Sequence, residues 1–360
     1  MTEKKPVTLV VSDIDNTISE YFNNQGTAWG MGIERLAQSR GMETDELYKN
    51  IRENAGGYAR FHNFPDLLKE TPALSLEGKS AEERKRLEKI DAQICHDVSK
   101  QYHEGNKLYE GALATIRKAK AAGAKFVMYT DSQASGAIAR LADMNFPIDL
   151  IDGLVCRADC TCVADEQTGA FKFKKAPMQV TGQNYSKYRD ELVEKLGDNL
   201  VINSGDVWKP NMQVMQSIIQ RHGSTPEQTV MVGDNIRSDG GIVRMGVNFA
   251  WQKQGAEVSE EAKKTYAGLN DNGGYVIGQK AQEESLKKMS AEDPVLGQQY
   301  QAHMVTLEGG FKDLNKHFAF RSAEKTAEKV FLQSKIKGQE EKQGAAKAAI
   351  QAKLAGRNGR

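Results

Sequence analysis

The chain has 360 residues, enough for a main domain plus an insertion or appendage. Its 39% apolar and 27% charged residues, balanced to a formal charge of +1, suit a folded soluble protein and call for neither a nucleic-acid nor a membrane partner. It contains no apolar leader core and no run of eighteen uncharged apolar residues. The expected compartment is therefore the cytoplasm, and four cysteines do not make a disulfide framework.

In chain order, Val7 to Val11 is the first short apolar run. Residues 19–108 then form a gap too long for one crossover helix. Within it, Thr44 caps a helix over Asp45–Asn54 that ends at Gly56–Gly57. Ser80, with Glu83 three residues on, is a capping box that opens a charged helix reaching about Tyr102. The gap is expected to be a mostly helical domain inserted after the first strand. Further helices are predicted at Ala112–Ala122, Ser135–Asp143 and Met212–Arg221. Strands are predicted at Lys125–Tyr129, Leu150–Val155, Leu200–Asn203, Thr229–Val232 and Val247–Trp251. Continuous apolar runs alternating with helices imply an α/β fold with a doubly wound parallel sheet, its strands buried on both faces. A smaller insertion at 157–198 carries a hairpin signal, with Cys160–Val163 and Phe171–Phe173 flanking Thr168–Gly169. The expected division is a core of 1–18 and 109–254, a helical insertion of 19–108, and a polar extension of 255–360, partly helical or disordered. From Arg321 onward the extension holds ten basic and four acidic residues, and a solvated tail is the expectation there.

Ligands of open parallel sheets bind beyond the carboxyl ends of the strands, and polar groups of one chemical kind follow four of these strands. Ser12-Asp13-Ile14-Asp15 offers two carboxylates one residue apart. One can attack a phosphoryl group, and the other can serve as acid and then base. Tyr129-Thr130-Asp131-Ser132 supplies a hydroxyl and free N–H groups for phosphate oxygens. Lys209, before Pro210 and a helix, can neutralise phosphate charge. The acidic residues of Gly233-Asp234-Asn235-Ile236-Arg237-Ser238-Asp239, with Asp13, can make an oxygen cage for Mg2+.

These four motifs resemble those of the haloacid dehalogenase (HAD) superfamily of phosphohydrolases, over about residues 7 to 252. The resemblance implies Asp13 as nucleophile and Asp15 as general acid/base, with Thr130, Asp131 and Lys209 around the phosphoryl group. It further implies Mg2+ held by the Asp13 carboxylate, the Asp15 main-chain carbonyl and Asp234, with Asp239 and Asn235 in support. The inserted helices are similar to the family's helical cap of the first type, which closes over small substrates. Asp131 stands where the family commonly has asparagine or a small residue, which adds negative charge beside the phosphate. Lys174 and Lys175 rival Lys209 for the third motif, but one helix alone separates Lys209 from the Thr229 strand. The implied activity is a Mg2+-dependent phosphatase acting on a small phosphorylated metabolite. The alternatives are a phosphomutase with the same nucleophile, or a scaffold working through its tail and insertions.

Other features carry less. Arg60 and His62, after the double glycine, are substrate-specificity candidates in the inserted helices. Cys156, Cys160 and Cys162 have a spacing at which thiolates bind Zn2+ if a fourth ligand such as Asp159 joins them, although a buried thiol is common at a strand end. Trp29 and Trp208 read as packing residues, with Trp208 also placed to line the site because it precedes Lys209.

Overall fold

Short apolar runs that bury both faces stack side by side in the computed structural model, which describes residues 4–55, 64–165, 168–174, 184–269 and 278–323. In chain order the strands are β1 (Lys5–Val7), β2 (Leu9–Ser12), β3 (Lys125–Gln133), β4 (Gly153–Arg157), β5 (Cys162–Ala164), β6 (Phe171–Phe173), β7 (Leu200–Asn203), β8 (Thr229–Gly233), β9 (Asn248–Trp251), β10 (Met304–Thr306) and β11 (Phe318–Phe320). Seven of them form one parallel sheet in the order β10-β9-β8-β2-β3-β4-β7.

Alternate residues of each strand feed opposite layers. Val10, Phe126, Met128, Leu154 and Val230 face one layer, covered by α5 (Ala112–Ala121), α6 (Ala134–Asp143) and α7 (Tyr185–Leu196). Leu9, Val11, Val127, Met231 and Phe249 face the other, with residues of α8 (Met212–Arg221) and α11 (Pro294–His303). Between α7 and α8, β7 closes one edge of the sheet. The predicted hairpin is present as the antiparallel pair β5–β6.

Residues 21–105 are helical wherever they form long elements: α1 (Tyr21–Arg40), α2 (Thr44–Ala55), α3 (Phe64–Glu70) and α4 (Ala81–Gly105). Ser80 caps α4 as its sequence requires, its hydroxyl accepting the Glu83 N–H at 3.2 Å. Gly41, at φ 65°, ends α1 in the left-handed conformation. These helices enclose a hydrophobic cluster of their own, including Trp29, Ile33, Leu36, Ile51, Phe64 and Ile94, and α9 (Glu260–Leu269) adds Leu269 to it.

Two differences from the sequence reading concern the ends of the chain. The Val7–Val11 run is bent at Thr8, so β1 leaves the main sheet and pairs with β11, while β2 alone occupies its centre. The stretch beyond 255 reads as a polar extension, yet β10 forms an edge of the main sheet. After it, Leu307, Phe311, Leu314 and Phe318 are buried in the core. Residues 279–303 read as polar because α10 (Gln279–Glu292) and α11 lie over the sheet's outer layer, with a wide solvated face. Of the tail, 324–360 lie outside the described residues, as do Arg60, His62 and Lys175. No helix among the described residues is long and apolar enough to cross a membrane.

Candidate active site

Parallel strands put all their carboxyl ends on one side of the sheet. The β2 register, Ser12 opposite both Met128 and Val232, sets Asp13 between the ends of β3 and β8. The chain then turns sharply. The Ile14 carbonyl accepts the N–H groups of Ile18 and Ser19, and Asn16 adopts φ 57°, which asparagine tolerates better than most residues. That turn aims Asp13 and Asp15 in different directions.

Asp13 lies among charged groups. Its Oδ1 accepts the Ile14 N–H at 2.8 Å, and its Oδ2 is 3.0 Å from Lys209 Nζ. The same ammonium donates to Asp239 Oδ1 at 2.6 Å, and both partners are buried. Burial alone would depress the lysine's pKa, but Asp13 and Asp239 outweigh it, and Lys209 is held protonated. Asp239 in turn caps the turn after β8, its Oδ2 accepting the Asn235 N–H at 3.1 Å. Gly233 makes room for this: a Cβ there would stand 2.2 Å from Asp239 Oδ2.

Carboxylate oxygens of Asp13, Asp234 and Asp239 lie within 4.8 Å of one another. Three carboxylates and one ammonium leave a formal excess of two negative charges in a buried space. Burial raises the Asp234 carboxyl well above its ordinary range, and Asp239 and Asp13 push it further. Burial also pushes Asp239 up to about 7, against the pull of Lys209. Hard oxygen donors around a charge deficit of two fit a small divalent cation such as Mg2+. Asn235 does not offer its side chain to this group, because its Oδ1 accepts the Arg237 and Ser238 N–H groups, both at 3.0 Å.

Asp15 points elsewhere. Its Oδ2 accepts Ser132 Oγ at 2.6 Å and Arg140 Nη2 at 2.9 Å. Arg140 Nε approaches Oδ1 at 2.6 Å as an ion-pair contact without hydrogen-bond alignment. Burial raises the Asp15 carboxyl, while Arg140 and the Ser132 hydrogen bond draw it back. Arg140 is itself buried in the apolar helix α6, where it also meets the Tyr102 hydroxyl at 3.3 Å and lies 4.7 Å above the Tyr21 ring. A lone arginine on a buried alanine-rich face was the available signal, since such a charge demands a partner. The partner, 125 positions away, could not be read from spacing.

Within β3, the stretch between Tyr129 and Gln133 loops out of the ladder to β4, which frees Thr130, Asp131 and Ser132 from regular pairing. Thr130 is buried, its Oγ1 accepting the Ser132 N–H at 3.0 Å. Asp131 Oδ1 accepts the Lys209 main-chain N–H at 2.9 Å and so ties this loop to the Lys209 segment. Lys174 instead stands beside the β5–β6 hairpin, its N–H bonded to the Thr161 carbonyl.

The cysteines do not gather into a comparable group. Cys156 and Cys162 are buried and Cys160 is exposed. Asp159 accepts from the N–H and hydroxyl of both Ser135 and Thr161. Among the described residues, Asp13, Asp234 and Asp239 form the cluster able to hold a metal.

A HAD-hydrolase-like family model matches residues 207–274, the segment carrying Lys209, Asp234 and Asp239. No curated protein matches the chain. Among solved structures, it is similar to a protein assigned as a β-phosphoglucomutase from Thermotoga maritima, at 16% identity over 86% of this chain and 96% of that one, with a TM-score of 0.42. A HAD phosphatase from Thermococcus onnurineus shares 16% identity over 71% and 90% of the respective chains, with a TM-score of 0.38. A protein assigned as a phosphoglycolate phosphatase from Haemophilus somnus 129PT shares 11% over 68% and 84%, with a TM-score of 0.34. Likenesses at this level bear on neither reaction nor substrate.

Proposed function

We propose that this chain, whose residues 207–274 match a HAD-hydrolase-like family model, is a HAD-superfamily phosphatase that cleaves small phosphomonoesters through a phosphorylated Asp13, with Mg2+ as cofactor. The observation that carries this reading is the meeting of Asp13, Asp234 and Asp239 around the Lys209 ammonium at the carboxyl edge of the sheet.

Asp13 Oδ2, already beside Lys209, attacks phosphorus in line with the ester oxygen. The P–O ester bond breaks, and Asp15 supplies the proton that the departing alkoxide takes up. Asp15 then removes a proton from water, which attacks the phosphoaspartate and releases inorganic phosphate. Lys209, with the Thr130 hydroxyl close to the β3 loop, offsets the charge that would otherwise repel the carboxylate from the phosphate. Asp13, Asp234 and Asp239 would hold Mg2+, which supplies charge neutralisation for the phosphoryl oxygens. The inserted helices α1 to α4 stand as a cap that contributes specificity.

Hydrolysis of an aryl phosphate with Mg2+ or with EDTA, by the wild type, Asp13→Asn and Asp15→Asn, tests the reading. Mg2+-dependent release of phosphate, abolished in Asp13→Asn and strongly reduced in Asp15→Asn, is the expected result. If the wild type neither turns over nor binds BeF3− in an Mg2+-dependent way that Asp13→Asn abolishes, the phosphatase reading fails.

A further inference from the structure

Trp208 does not pack. It is 54% exposed, whereas Trp29 and Trp251 are buried. Its position beside the site gives that exposure a use. One residue on, Lys209 holds Asp13, and consecutive Cα atoms are only about 3.8 Å apart.

One face of the indole is taken by a charge. The Arg157 guanidinium lies over the ring, 3.4 Å from its centroid. Arg157 is not free to drift with the tryptophan. Its Nε donates to the Asp131 carbonyl and its Nη1 to the Gly205 carbonyl at 2.6 Å. Asp131 also receives the Lys209 N–H. The guanidinium that backs the ring is therefore held at two points, by the irregular stretch of β3 and by the segment leading to Lys209. A solvated surface tryptophan has no need of such an anchor. A flat indole backed by a fixed cation presents its other face to a second flat ring, and such stacking does not depend on hydrogen-bond readout.

We propose that Trp208 and Arg157 form a stacking platform for the leaving group, and that the substrates are phosphomonoesters bearing a planar aromatic ring. This inference rests on the phosphatase reading and names the substrate class for the same site. Phosphate on Asp13 and ring on Trp208 place one ester across the rim between the β3 loop and the Lys209 segment. Arg157 serves as a positioning residue, since it reaches the substrate only through the indole.

The test is a comparison of kcat/KM for adenosine 5′-monophosphate, pyridoxal 5′-phosphate and ribose 5-phosphate, in the wild type, Trp208→Ala and Trp208→Phe. The wild type is expected to prefer at least one aromatic ester over ribose 5-phosphate by about tenfold or more. Trp208→Ala should cut that preference about tenfold, mainly through KM, and Trp208→Phe should keep most of it. Whether the nucleotide or the pyridoxal ester is preferred identifies the kind of ring. Equal rates in the wild type, or a preference that survives Trp208→Ala, would overturn the platform while leaving the phosphatase reading intact. No turnover of any of these esters by a wild type that still binds BeF3− would overturn the platform alone; without that binding the phosphatase reading falls with it.

Discussion

At the scale of single residues, the site is governed by charge in a buried space. Lys209 bridges Asp13 and Asp239 with its side chain fully enclosed. Removing a buried ion-pair partner leaves uncompensated charge behind and costs roughly 3–5 kcal/mol. Lys209→Met is therefore expected to lower the urea midpoint of the metal-free protein markedly. It should also reduce aryl phosphate turnover by about 100-fold or more. An unchanged midpoint would mean that the carboxylates relax without the lysine. The acidic cluster also makes a pH prediction. Asp234 is raised well above its ordinary range and Asp239 to about 7, each by burial first. A carboxyl whose folded pKa lies above its unfolded value favours the folded state most at low pH, and that advantage is lost as pH rises through the folded value. In EDTA, the stability of the wild type relative to Asp234→Asn should therefore fall as pH rises above about 4, the ordinary carboxyl range. Mg2+ at pH 7 should restore it. A pH-independent difference between the two proteins would contradict the charge excess inferred for the site.

Single elements position these charges through their ends. The turn after β8 works because Gly233 leaves space for the Asp239 carboxylate. Gly233→Ala forces a Cβ against the buried Asp239 side chain and is expected to cost roughly 1–3 kcal/mol. It should also disturb the Lys209–Asp239 pair, so turnover falls along with stability. Stability lost with full turnover retained would show that the loop and the pair are independent. Helix α8 starts at the Asn211 cap, whose Oδ1 accepts the Val214 N–H at 3.0 Å. Asn211→Ala should cost about 1 kcal/mol in denaturant unfolding, as for other N-caps. These elements were legible because their signals are local: apolar runs, helical periodicity and a capping serine. Arg140, Ser132 and Arg157 were not read as partners of Asp15 and Trp208, because those contacts join residues far apart in sequence. The bend at Thr8 was hidden for a different reason, since the Val7–Val11 run is apolar on both sides of it.

For the whole molecule, the first and last strands of the described residues are joined. β1 pairs with β11, and β10 closes an edge of the sheet beside β9. Phe311, fully buried between these strands in sequence, belongs to the same core as β2 and β3. Phe311→Ala is expected to destabilise the protein by roughly 3–5 kcal/mol, the range for a large aromatic lost from a core. A near-neutral effect in thermal unfolding would mean that residues 304–320 dock only loosely.

The amino-acid sequence by itself determined the parallel doubly wound sheet, the inserted helices and the polar residues at each strand's carboxyl end. Those features follow from apolar periodicity and from the rule that such sheets carry their chemistry at one edge. Only the tertiary structure decided which charges share a space. It set Lys209 between Asp13 and Asp239, turned Asp15 toward Arg140 and Ser132, and left Trp208 in solvent against Arg157. It also drew the polar-looking stretch around β10 into the fold. The physical reason is common to all of these. Burial and charge pairing depend on which surfaces meet, and a one-dimensional pattern records each surface but not its partner.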